Sequence, residues 1–266
     1  MRTVTKFSIF MAAAVLIQAP WVWAAKPKSE WNEKKSQHFV VFYKDAPKDF
    51  VDEVIRSAEQ YYIEITRDFG FTRYESWSYD SRAKIYIYKD QDDYVNSARQ
   101  ANWSHGAAFA KSKTIRTFPA AHGFFDSLLP HELGHIIFRE FVGHNVSLPR
   151  WFEEGVAMYQ EKSRRWGAHK TVKDAIDRGV FIPLKDLNRS LLDPKVTDEV
   201  VDLFYAESAS VIYFLIKEFG ENRFETFCRK LKYGSPFFEA MKGAYGRFGT
   251  IEELNQAWVD YLKKKL

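Results

Sequence analysis

His131-Glu132-Leu133-Gly134-His135 (HELGH) is the stretch from which the rest of this chain can be read. Two histidines four positions apart stand on one face of a helix about a turn apart, so both imidazoles can reach a single Zn²⁺ ion. Glu132 follows the first histidine and projects to the side, where it can contact a water on the metal. The flanking residues are those of a helix. Asp126 or Ser127 can cap its start, Pro130 falls in its first turn, and Leu129, Leu133, Ile136 and Ile137 form an adjacent apolar stripe.

A further ligand lies downstream. Pro149-Arg150-Trp151-Phe152-Glu153-Glu154-Gly155-Val156-Ala157 reads as the start of a second helix with two carboxylates in its first turn. Eighteen residues separate His135 from Glu154, room for a second helix to fold back antiparallel beside the first. One carboxylate would complete a His₂Glu set and leave the fourth position to water, the open arrangement of catalytic zinc. The residue pattern alone leaves Glu153 and Glu154 equal.

Upstream of this helical region the periodicity changes. His38 to Tyr43 (HFVVFY) and Ala83 to Tyr88 (AKIYIY) are rich in β-branched and aromatic residues and read as strands. A third extended stretch falls between Gly106 and Thr117. Asp49 to Phe69 carries Val51, Val54, Ile55, Ala58, Tyr62 and Ile65 at helical spacing, with Gly70 as the stop. Lys26 to Lys35 is polar and reads as a flexible lead-in. From Asp126 onward the pattern is almost entirely helical, closing on a helix with a Thr250–Glu253 capping box and an apolar face of Trp258, Tyr261 and Leu262. Strands first and helices afterward indicate an α+β fold. Its N-terminal mixed lobe spans 25–125, and its helical lobe, 126–266, carries the motif.

The first residues belong to export rather than to the fold. Arg2 and Lys6 precede an apolar run from Phe7 to Val22, and small residues follow at Ala24 and Ala25. This is the layout of a signal peptide over residues 1–24. Pro20 and the small residues favour cleavage over retention as an anchor, so no stable membrane insertion is expected afterward. The expected compartment is periplasmic or extracellular. Cys228 is the only cysteine, which excludes an intrachain disulfide. With Phe224, Phe227 and Leu231 at helical spacing around it, Cys228 reads as a core thiol.

The 266 residues are 46% hydrophobic and 17% aromatic, enough to bury a sizeable core. Lys and Arg exceed Asp and Glu by 39 to 35, a surplus too small and too evenly spread to argue for nucleic acid. No repeat or low-complexity tract is present, and nothing in the sequence sets the oligomeric state.

HELGH, the eighteen-residue gap and WFEEGVA resemble the gluzincin zinc metallopeptidases, in particular the peptidase MA-like group and the M1 aminopeptidases. The resemblance implies a zincin-like fold with its active site between the two lobes and one zinc per chain. It implies His131, His135 and Glu154 as ligands, because the family's third ligand is the Glu directly before the Gly. It implies Glu132 as the general base and a peptide or protein as the substrate. The family pattern often continues to an acid seven residues on, where Glu161 stands. Placed on the same helix face as Glu154, Glu161 would either orient a ligand histidine or stand as a solvated acid. The segment from Tyr205 to Leu215 resembles the family's tyrosine-led helix, which makes Tyr205 the oxyanion donor and leaves Tyr213 in the core. One departure stands out: Gly106 to Ala110 lacks the acid with which M1 enzymes read a substrate amine. That stretch is expected to be an edge strand able to pair with an extended peptide. Two other readings use the same residues, a catalytically inactive peptide-binding or scaffolding module and a zinc amidase acting on a non-peptide substrate.

Overall fold

β-branched and aromatic residues build the centre of a five-stranded sheet, seen in a computed structural model that describes residues 30–71, 77–98, 106–119, 123–191 and 196–265. Residues 1–24, read above as a signal peptide, lie outside those residues, as do His105 and His122, the histidines that flank the Gly106 to Thr117 stretch. Strand β1 is Asn32–Lys35, β2 Phe39–Tyr43, β3 Ala83–Ile87, β4 Gly106–Phe109 and β5 Thr114–Thr117. Their order is β1-β2-β3-β5-β4. The inner pairs β2–β3 and β3–β5 are parallel and both edges are antiparallel.

Two readings of this region change. The polar lead-in is ordered from Asn32 as β1, whose backbone pairs with β2 although its NEKK side chains have no apolar face to signal it. The single stretch from Gly106 to Thr117 is a hairpin, split by a 3₁₀ turn over Ala110–Ser112 and by Lys113 in the left-handed region at φ 47°.

Helix α1 (Lys48–Asp68) joins β2 to β3, and its stripe of Val51, Val54, Ala58, Tyr62 and Ile65 is buried as the periodicity requires. Gly70 ends the helical run at φ 75°, a conformation that costs a glycine nothing. Val41, Ile85 and Ile115 lie side by side across β2, β3 and β5, all fully buried. A short α2 (Gln91–Ala98) follows β3 and seats Tyr94 against Tyr88 and Phe118.

Among the described residues every regular element after β5 is helical, including α3 (Leu129–Val142), α4 (Arg150–Met158), α5 (Lys162–Arg178), α6 (Leu184–Ser190), α7 (Asp198–Phe219), α8 (Glu221–Lys232), α9 (Phe237–Tyr245) and α10 (Ile251–Lys265). The fold is therefore α+β, a mixed sheet followed by a helical region. One buried cluster runs through both. Phe69 of the α1 end meets Phe138 of α3 and Phe224 of α8, and Phe224 stacks on Phe152 of α4. Each fully buried side chain of this size contributes about 1.5–3 kcal/mol relative to exposure. Cys228 is buried in the same cluster, with its thiol pushed well up by burial and, after that, by Glu225. No helix among the described residues is long and apolar enough to cross a membrane.

Candidate metal centre

Helix α3 carries HELGH on a half-buried face. Its other face, Leu129, Leu133, Ile136 and Ile137, is fixed in the core. Neither Asp126 nor Ser127 caps it. The chain enters α3 through a π turn, Phe124–Leu128, and is already helical at Leu128, so no free N-terminus needs a side-chain acceptor there. Helix α4 begins after Pro149, and the Asn188 side chain accepts the Trp151 N–H at 2.9 Å.

Two glycines bring the helices together. A Cβ on Gly134 would come within 3.1 Å of the Ala157 Cα on α4. A Cβ on Gly155 would sit 2.3 Å from the Ser208 carbonyl oxygen on α7. Backbones at this separation hold α4 against α3 on one flank and α7 on the other.

The two acids of α4 then part company. Glu153 takes the Arg139 guanidinium of α3, which also donates to the Val146 carbonyl at 2.7 Å. Glu154 turns the other way. Its Oε2 lies 3.7 Å from His131 Nε2 and 3.8 Å from His135 Nε2, and the two Nε2 atoms are 3.2 Å apart. One ligand atom from each of these three residues lies within 4.8 Å of the others. This is the only such group among the described residues.

Glu161 does not share a helix with Glu154, because α4 stops at Met158 and Glu161 stands at the start of α5. It nevertheless reaches the site: its Oε1 lies 2.8 Å from His131 Nδ1, and its Oε2 accepts the Ser127 hydroxyl. A carboxylate only accepts, so His131 Nδ1 carries the proton and Nε2 is the ring nitrogen turned toward Glu154.

Burial and charge oppose one another across the cluster. Burial alone would lower His131, but the Glu161 hydrogen bond and the charges of Glu132, Glu161 and Glu154 carry it above the usual histidine value. His135 is driven down to about 3, by burial first and then by His131 and Arg139, and is neutral at pH 7. Glu132 is raised by burial; His131 works against the rise, and Glu154 and Glu161 add to it. Glu154 is raised by burial too, against the pull of His131 and Arg150. Two imidazole nitrogens and a carboxylate form a donor set suited to zinc.

The remaining residues are placed as follows. Tyr205 is half-buried on α7, packed against Met158, Ala209 and the Phe204 ring. Tyr213 is half-buried between His169 and Tyr159. His144 is exposed in the turn after α3. His38 is buried, its Nδ1 2.6 Å from Glu59 and its ring stacked on Tyr62. β4 forms the sheet edge beside α3, with Gly106 against Leu128. Sequence reasoning missed Arg139 and the packing roles of Gly134 and Gly155. The charge of Arg139, one turn past His135, and the glycines within the two motifs were the visible signals.

A family model described as the Peptidase MA superfamily matches residues 71–264. That span takes in β3, β4, β5, every helix from α2 to α9 and nearly all of α10. It agrees with the family resemblance of HELGH and WFEEGVA. No curated protein matches the chain.

Proposed function

The chain belongs to the peptidase MA superfamily, and on that premise we propose that it is an exported, zinc-dependent metallopeptidase acting on peptides or proteins. The observation that carries this reading is the convergence of His131 Nε2, His135 Nε2 and Glu154 Oε2 on one point. These three residues would hold one zinc per chain. When bound, zinc supplies a Lewis acid and brings the pKa of a water from 15.7 toward about 7.

The chain's own residues do the rest. Glu132, raised by its burial, takes the proton of the attacking water and hands it to the departing amine. Glu161 keeps the His131 ring turned so that Nε2 faces the ion. Tyr205 donates to the oxyanion. β4, the last strand of the sheet among the described residues, is the strand that would pair with an extended substrate. Export to the periplasm or the extracellular space rests on the layout of residues 1–24 and on nothing else. Nucleic acid is not a proposed partner.

Metal content is the first test. About one zinc per native chain, lost in His135→Ala and in Glu154→Ala, is expected. A native chain that takes up no zinc when it is supplied overturns the reading. Cleavage of a peptide library then separates a peptidase from an amidase on non-peptide substrates.

A further inference from the structure

Ser127 has the composition of a helix cap and does something else. The π turn that holds it starts at Gly123, with φ 65°, and is tied down where the Tyr61 hydroxyl donates to the Phe125 carbonyl at 2.8 Å. A π turn is wider than an α turn and recurs at functional sites. Here it delivers the Ser127 hydroxyl, one turn before His131, to Oε2 of Glu161. Glu161 is 2% exposed, so solvent is a poor substitute for that hydroxyl. Its other oxygen is engaged by His131 Nδ1 at 2.8 Å. Ser127, Glu161 and His131 thus form a three-part chain joining the π turn, the start of α5 and the ligand face of α3.

We propose that Ser127 is a positioning residue of the metal centre, acting through Glu161 to fix the orientation of the His131 ring. The inference rests on the metallopeptidase reading. The Ser127 hydroxyl, bonded to Oε2, holds the carboxylate in one rotamer, and the carboxylate in turn holds the ring. Outer partners of a metal-ligating histidine are worth roughly 10–100-fold in metal affinity, and one link further out belongs at the low end.

The experiment is zinc affinity, by competition with a chromophoric chelator, for the native chain, Ser127→Ala, Ser127→Thr, Glu161→Ala and the Ser127→Ala/Glu161→Ala double variant. Ser127→Ala should weaken zinc about 10-fold, and Ser127→Thr, which keeps the hydroxyl, should restore it. In the Glu161→Ala background Ser127→Ala should add nothing. With cobalt in place of zinc, the visible bands should shift in Ser127→Ala and return in Ser127→Thr. Unchanged affinity in Ser127→Ala, or losses that add in the double variant, overturn the inference and leave the metallopeptidase reading standing. A native chain that binds no zinc overturns both.

Discussion

Around α3, α4 and the start of α5, half-buried His131, His135 and Glu154 stand in company with buried Glu161; elsewhere, buried Glu207 of α7 and half-buried His169 of α5 have few polar partners. Glu207 is fully buried, accepts the Ile182 N–H at 2.9 Å through Oε1, and has no hydrogen-bond partner for Oε2 among the described residues. Burial, opposed only by that N–H, pushes it up to about 8. His169 Nδ1 meets the Ser210 hydroxyl at 2.7 Å, and burial lowers the ring to about 4. Both regions hold displaced ionisable groups. Only the first aims several lone pairs at a shared point with charges of both signs around it. A shifted pKa records burial; convergence of donor atoms is what distinguishes a site.

The sharpest way to break this contrast is Glu132→Gln. Cleavage should fall by about 10²–10⁴ while zinc content holds, measured as turnover of a peptide substrate alongside metal analysis. Undiminished cleavage would remove Glu132 from the chemistry and leave the first region no better than the second.

The second region should respond to pH instead. The folded pKa of Glu207 lies above its unfolded value of 4.5, at about 8. The folded state therefore binds the proton more tightly, and stability falls as pH rises from about 4.5 to about 8 before levelling. At about 1.4 kcal/mol per unit, the ceiling is on the order of 5 kcal/mol. Glu207→Gln keeps an acceptor for the Ile182 N–H and removes the titration. Its melting temperature should exceed the native one by more at pH 8 than at pH 5. An equal difference at both pH values would show that Glu207 is not protonated in the folded chain.

Gly155→Ala probes the packing that the first region depends on. A Cβ 2.3 Å from a backbone oxygen cannot be relieved by a rotamer change. A loss of about 1–3 kcal/mol, a few °C in Tm, should come with weakened zinc binding as Glu154 moves. The smallest effect is expected from His169→Phe: zinc content unchanged, read by the same metal analysis. Loss of zinc there would mean that the two regions are coupled.

Part of this was legible beforehand for a physical reason. The spacing of His131 and His135 is a property of one helix, and one helix is local. The apolar stripes of α1 and α10 are local as well, and both fall where their periodicity put them. What needed the third dimension was the division of labour between Glu153 and Glu154, decided by Arg139 across the helix pair. Glu161 was read as either a partner of a ligand histidine or a solvated acid, and on the wrong helix, because nothing in Tyr159-Gln160-Glu161 announces a break. β1 escaped notice because an edge strand can be held by its backbone alone. The Lys113 turn escaped because a lysine at positive φ is uncommon.

The glycine contacts of α4 carry a consequence for time scales. At Gly134 on one flank and Gly155 on the other, no side chain cushions this helix against α3 or α7. Motions that other helix pairs absorb through rotamer hops would here require whole helices to slide. Escape of a bound ion would then be a slow, collective event with a steep temperature dependence. Exchange of labelled zinc should take far longer than the opening of an exposed loop.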